Sequence, residues 1–307
     1  MQTHSNIIPS TLITLAMLAV LGLRASAADA PAQKQFANPD AAVRALVDAL
    51  RSGDQAALLA ILGPGSEDVV SSGDPIADRA ARKPILTGAA ERTRLETLPS
   101  GAVIAHFGKD DWPLPIPLVK SGDQWHFDTA AGRNEILNRR IGKNELKAID
   151  VCRVYVEAQR EHAKLERDYA QKLRSDPGKR DGLYWEDPTG KHPSPLGPLL
   201  AEAAAEGYST ENSPDAPRPY HGYLFRILTQ QGPHAPGGAR SYLRDGKMTG
   251  GFAMIAYPAD YGASGVMTFL VDAQGVVYQK NLLDQTDTVA KQITTYDPDD
   301  TWTPVRD

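Results

Sequence analysis

The chain has 307 residues, 33 Lys+Arg against 38 Asp+Glu, a net charge of -5 and 41% hydrophobic residues. That balance describes a globular protein with room for two ordinary domains, excludes disorder throughout, and leaves no general electrostatic footprint for nucleic acid. Its one cysteine, Cys152, excludes any intramolecular disulfide and any thiolate-rich zinc or iron–sulfur centre.

Residues 7–23 are almost wholly apolar or hydroxylic and lead into Ala25-Ser26-Ala27. A core too short to span a bilayer comfortably, followed by a small-x-small site, predicts a signal peptide over 1–27 and a mature chain beginning at Ala28. The expected location is the periplasm or the outside of the cell. Only the α-amine and His4 make the leading region positive, so an uncleaved anchor is the alternative. No cysteine follows the apolar run and no later segment is long enough to span a membrane, which predicts a soluble mature chain without a lipid anchor or a transmembrane segment.

A polar tether is expected over 28–37, then an N-terminal α+β domain over 38–142. Asn38-Pro39-Asp40 reads as N-cap, first-turn proline and first-turn acid of a helix ended by Gly53. Asp54 opens a second helix that stops at Gly63-Pro64-Gly65, and Asp74-Pro75 opens a third to about Leu86. Strand patterns follow over 92–98, 102–107, 114–120 and 124–128. Helices followed by an antiparallel meander resemble the cone-shaped nuclear-transport-factor-2-like or cystatin-like domains, whose curved sheet wraps a helix. Both enzymes and binding modules use such folds.

The second unit is expected over 143–307 and opens with a long connecting helix. From Asn144 as N-cap, Val151, Tyr155, Ala158, His162, Leu165, Tyr169 and Leu173 recur at spacings of four and three up to the stop at Asp176-Pro177-Gly178. A helix is expected over 197–206, then strands over 221–229, 251–257, 266–271 and 276–280. A helix followed by this C-terminal antiparallel sheet resembles the soluble part of pilin-like proteins, although a whole domain intervenes between it and the hydrophobic N-terminus.

Longer motifs cover nearly the whole mature chain. Gly108-Lys109-Asp110-Asp111-Trp112-Pro113, Asn138-Arg139-Arg140-Ile141-Gly142-Lys143-Asn144-Glu145-Leu146, Gly178-Lys179-Arg180-Asp181-Gly182-Leu183-Tyr184-Trp185 and Pro219-Tyr220-His221-Gly222-Tyr223 resemble a bacterial exported family catalogued as domain of unknown function 2950. The resemblance implies class and compartment. It carries no activity, cofactor or catalytic residue.

Candidate chemistry is sparse. His126 and Asp128, with His106, can line the open side of the first sheet, where a His–Asp pair acts as general base; a wet polar sheet face is the competing reading. Asp110-Asp111 offers carboxylates to a hard cation or Asx hydrogen bonds to a tight loop. His162 and Cys152 lie on the apolar stripe of the long helix and read as core groups. Arg139-Arg140 and Lys179-Arg180 are basic pairs able to clamp an anion, and Ser264 lacks the second glycine of a nucleophile elbow. Tyr220 and His221, an aromatic-flanked histidine at a strand start, are the leading ligand-contacting candidates, with Arg140 beside the boundary between domains. No Walker loop, dinucleotide fingerprint or zincin motif is present, so no cofactor or metal is expected. These residues predict an exported binding or assembly module of the cell envelope, with an envelope protein or small ligand as partner, no nucleic acid, and a cleft between domains as ligand site. The alternatives are a cofactor-independent hydrolase using the His–Asp pair and a pseudopilin-like structural component.

Overall fold

A computed structural model describes residues 32–209 and 218–306. The expected leader over 1–27 and its cleavage point lie outside the described residues. The three start signals read from sequence in the N-terminal half all cap helices, while the fourth, at Asn144, does not. Asn38 accepts from the Ala41 amide at the head of α1 (Pro39–Ser52), which Gly53 ends at φ +69°. Asp54 accepts from the Ala57 amide at α2 (Gln55–Leu62), and a single turn, α3 (Glu67–Val70), follows. Asp74 caps α4 (Pro75–Glu91), which carries Pro84 in its interior and runs past the expected end.

The first sheet contains β1 (Thr93–Thr97), β2 (Val103–Phe107), β3 (Trp112–Pro113), β4 (Leu118–Ser121) and β5 (Gln124–Phe127). They pair antiparallel in the order β1-β2-β4-β5, with β3 on β2. Val103, Ala105 and Phe107 are buried in β2 while Ile104 and His106 alternate outward, the period-two pattern of a half-buried strand. The strand expected over 114–120 begins only at Leu118. Pro115 and Pro117 have no N–H for a ladder, so 114–117 forms a bend that buries Leu114 and Ile116 and is tied only at its ends, Leu114 donating to the Ala105 carbonyl and the Pro117 carbonyl accepting from Asp128. The expected tether is partly structure: Phe36 exchanges both backbone hydrogen bonds with Trp125 at 2.8 Å and is buried in the first core.

The long connecting helix α5 spans Thr129–Glu166, with Asp128 as its N-cap. It therefore starts well before Asn144, which is buried within it and donates to the Ser264 carbonyl at 2.9 Å. Gly132 lies where a Cβ would stand 2.6 Å from the Pro115 carbonyl oxygen, so a residue that reads as a helix breaker is what lets the helix approach that segment. The helix ends at Arg167, in the left-handed region at φ +68°. Tyr169 and Leu173 are thus not helical, yet both still pack on the second core.

After α5, β6 (Lys172–Arg174) pairs parallel with β7 (Gly182–Tyr184), and α6 (Gly197–Glu206) matches the expected helix. β8 (Tyr223–Leu228) precedes two ribbons that the strand pattern does not predict: β9 (Gln230–Gln231) with β10 (Arg240–Ser241), and β11 (Leu243–Arg244) with β12 (Lys247–Met248). β13 (Ala253–Pro258), β14 (Met267–Asp272), β15 (Val277–Asn281), the helix α7 (Thr286–Gln292) and β16 (Thr303–Pro304) complete the chain. The second sheet is antiparallel in the order β16-β15-β14-β13-β8. Every residue of β13 is buried, as for a strand covered on both faces.

The architecture is α+β. Two hydrophobic cores form, one from Phe36 to Phe127 and one from Ala148 to Trp302, within a single compact unit. The segment 140–145 of α5 joins them. Arg140 donates to the carbonyls of Asp68, Val69 and Ala263, and one Glu145 oxygen accepts the amides of Val266 and Met267 at 3.0 Å. Among the described residues no helix is long and apolar enough to cross a membrane.

Candidate functional site

Tyr220 and His221 belong to a two-residue hairpin turn. Tyr220 and Tyr223 exchange backbone hydrogen bonds of 2.9 and 3.1 Å around His221 (φ +48°) and Gly222 (φ +74°). Two successive left-handed residues are the requirement of a type I′ turn. Glycine is needed at the second position for a further reason, since a Cβ there would lie 2.6 Å from the Asn144 amide nitrogen. His221 is not glycine, and its place in the left-handed region marks a side chain held where it is by its surroundings.

Those surroundings are aromatic and charged. The His221 ring packs 4.4 Å from the Tyr220 ring and 5.5 Å from that of Tyr208. Its Nε2 lies 2.8 Å from a Glu206 carboxylate oxygen, out of line for a hydrogen bond. Burial pushes the imidazole below its ordinary value, and the Glu206 charge works against that shift. Lys147 stands 5.9 Å over the Tyr220 ring and donates to Glu202 at 2.7 Å, which raises its ammonium. Beneath them Asp74 is nearly inaccessible. One of its oxygens caps α4 through the Ile76 and Ala77 amides, and the other accepts from the Tyr208 hydroxyl and the Gly222 amide, both at 2.9 Å. Four donors saturate that carboxylate.

Beside this cluster lies a cavity of about 560 Å³. Its walls come from α5 (Val151, Tyr155), β7 (Tyr184), α6 (Leu199, Leu200) and β8 (Phe225), with Tyr220 at one side and Asp74-Pro75-Ile76 contributed by the N-terminal half. Aliphatic and aromatic groups dominate. The size and lining are those of small-molecule sites.

The other sequence candidates are dispersed. Arg140 does not reach the cavity wall; its guanidinium is spent on backbone carbonyls, and burial lowers its pKa against the pull of Asp78, Asp68 and Asp260. His126 and Asp128 do not pair: the Asp128 carboxylate accepts from the Ala131 amide as helix cap, and Nδ1 of His126 is buried without a partner. His106 does face the open side of the first sheet, in a hollow of about 290 Å³ with Glu96, Glu135 and Arg139. There it contacts Glu96 at 3.1 Å and the Asp111 carbonyl at 3.0 Å, while Arg139 pairs with Glu135. Asp111 takes Arg92 and Arg94 as partners.

His162 is a core group with its ring nitrogens 2.8 and 2.9 Å from the carbonyls of Asp168 and Arg180. Cys152 is fully buried, and desolvation pushes its thiol up to about 12. The Ser264 hydroxyl bonds the Asp260 backbone. Among the described residues no three His, Cys, Asp or Glu side chains gather into a metal-binding group. Sequence reading missed Asp74, Lys147, Glu206 and Tyr208 as one cluster because they lie on three separated segments. The Asp74-Pro75 cap was a visible signal for only one of its two roles.

No curated protein and no solved structure matches this chain. The family described as protein of unknown function (DUF2950) matches over residues 33–305. That match spans both cores, the clamp at Arg140 and every wall of the cavity, so the chain belongs to this family.

Proposed function

We propose that the protein is an exported binding module of the cell envelope that holds a small ligand in the cavity beside Tyr220. The cavity itself carries this reading: about 560 Å³ of mostly apolar wall with a few fixed polar groups at its edge suits capture of a small molecule. Catalysis needs a positioned base with access to substrate; His106 is held by Glu96 and the Asp111 carbonyl, His162 by two carbonyls, and His126 has no Asp128 partner. Export rests on the Ala25-Ser26-Ala27 boundary. Intact-mass measurement on protein from the cell envelope is expected to give a chain starting at Ala28, whereas a membrane-bound form that keeps 1–27 would oppose it.

The binding test uses the neutral fluorophore N-phenyl-1-naphthylamine. Its emission is expected to rise saturably with wild-type protein and to fall to background with Leu199→Trp, which fills the cavity from α6. Equal emission from both folded proteins, or none from wild type, would refute a ligand site here.

A further inference from the structure

We infer that the ligand is a single-chain amphiphile with an anionic head, its alkyl chain in the cavity and its head on Arg218. This rests on the binding reading above and adds the ligand's chemistry. The wall offers methylene-sized aliphatic contacts from Leu173, Leu196, Leu199, Leu200 and Ala203, which suits an alkyl chain. Polar capacity inside is largely committed. Asp74 has its four donors, and the Tyr155 hydroxyl donates to the Ala253 carbonyl while accepting from Gln159. The Tyr220 hydroxyl, buried without a partner at one side of the cavity, is a neutral group, so a charged head meets no free opposite charge inside and belongs at the mouth beside Arg218.

Among the described residues the lining carries more positive than negative charge: Arg174 and Arg218 against Asp74. Arg174 is held by Glu186 at 2.7 Å and stacks over Tyr184. Arg218 is exposed, and no carboxylate of the described residues pairs with it. A guanidinium at the rim presents a fork of donors that matches a carboxylate or a phosphate head and repels an ammonium. Apolar walls and an exposed arginine that no carboxylate of the described residues takes are what an anionic amphiphile needs and a neutral or cationic one does not use.

The test displaces bound N-phenyl-1-naphthylamine with dodecanoate, dodecyl phosphate, dodecanol and dodecylammonium, each below its micelle concentration or, for dodecanol, its solubility limit. One of the two anions is expected to displace the probe at concentrations about tenfold lower than dodecanol, as a charge-assisted hydrogen bond implies, with dodecylammonium weakest. Which anion leads tells a carboxylate head from a phosphate head. Arg218→Gln is expected to erase the preference of the anion over dodecanol, each read against the variant's own probe affinity. Dodecanol or dodecylammonium matching the anions, or a preference that survives Arg218→Gln, would overturn the assignment of the head while the ligand site stands. Failure of the probe to bind wild-type protein would overturn both.

Discussion

At Cys152 burial decides reactivity. A thiol with no exposed surface and its pKa pushed up to about 12 holds almost no thiolate at neutral pH, so native protein is expected to resist Ellman's reagent until it is unfolded in urea. Cys152→Ala should cost about 1 kcal/mol through a small cavity, and Cys152→Asp several times more by burying a charge. Asp128 illustrates the opposite case. Its carboxylate caps α5 at the Ala131 amide, so Asp128→Ala is expected to lower stability by about 1 kcal/mol in urea melts and to leave probe binding unchanged. Lost binding in the folded variant would reinstate the carboxylate as a functional group. His221 gives a pH signature. Its folded value is depressed by burial, with Lys147 and Lys143 adding to the shift and Glu206 and Asp74 opposing it. Its contribution to stability is therefore complete above the ordinary histidine value of about 6.5 and is lost as pH falls below it. Melting temperatures measured near pH 7.5 and 5 should show a smaller acid loss in His221→Asn, a residue that tolerates the left-handed turn.

Elements were legible where their signals are local. Asn38-Pro39, Asp54 and Asp74-Pro75 each satisfy amides within three residues, so the caps can be read without the fold. The start of α5 could not, because Gly132 acquires its reason from Pro115 and Ile116 across the sheet. Substituting Gly132→Val is expected to cost about 1–3 kcal/mol by overpacking against backbone, and an unchanged urea midpoint would show that the helix can shift away. The end of α5 misled for a related cause. Tyr169 and Leu173 keep the apolar spacing and the core contacts after the chain has left the helix, so periodicity reports burial rather than helicity. In the site, Tyr220 and His221 were visible as an aromatic-flanked histidine. The cavity was not, since its walls run from Asp74 to Met254 and no local pattern encodes such separations.

For the whole molecule, the two cores are joined by groups that leave no spare partner. Removing the Arg140 side chain strands the carbonyls of Asp68 and Val69 at the join, so Arg140→Met is expected to cost about 3 kcal/mol and to split the urea transition in two when the cores are followed by separate probes. A single transition at the wild-type midpoint would mean the clamp contributes nothing.

The continuity of α5 also restricts how this chain can change in length. Ile136 packs on the first core and Ala148 serves the second, with Arg140, Asn144 and Glu145 between them holding the 263–267 segment. Each residue turns an α-helix by about 100° and lengthens it by about 1.5 Å. One inserted residue between Ile136 and Ala148 would swing one half of the protein a quarter-turn against the other and carry all three side chains away from their carbonyls and amides. Loops elsewhere can grow or shrink, whereas here tolerated insertions should come as about seven residues, close to two whole turns, or not at all.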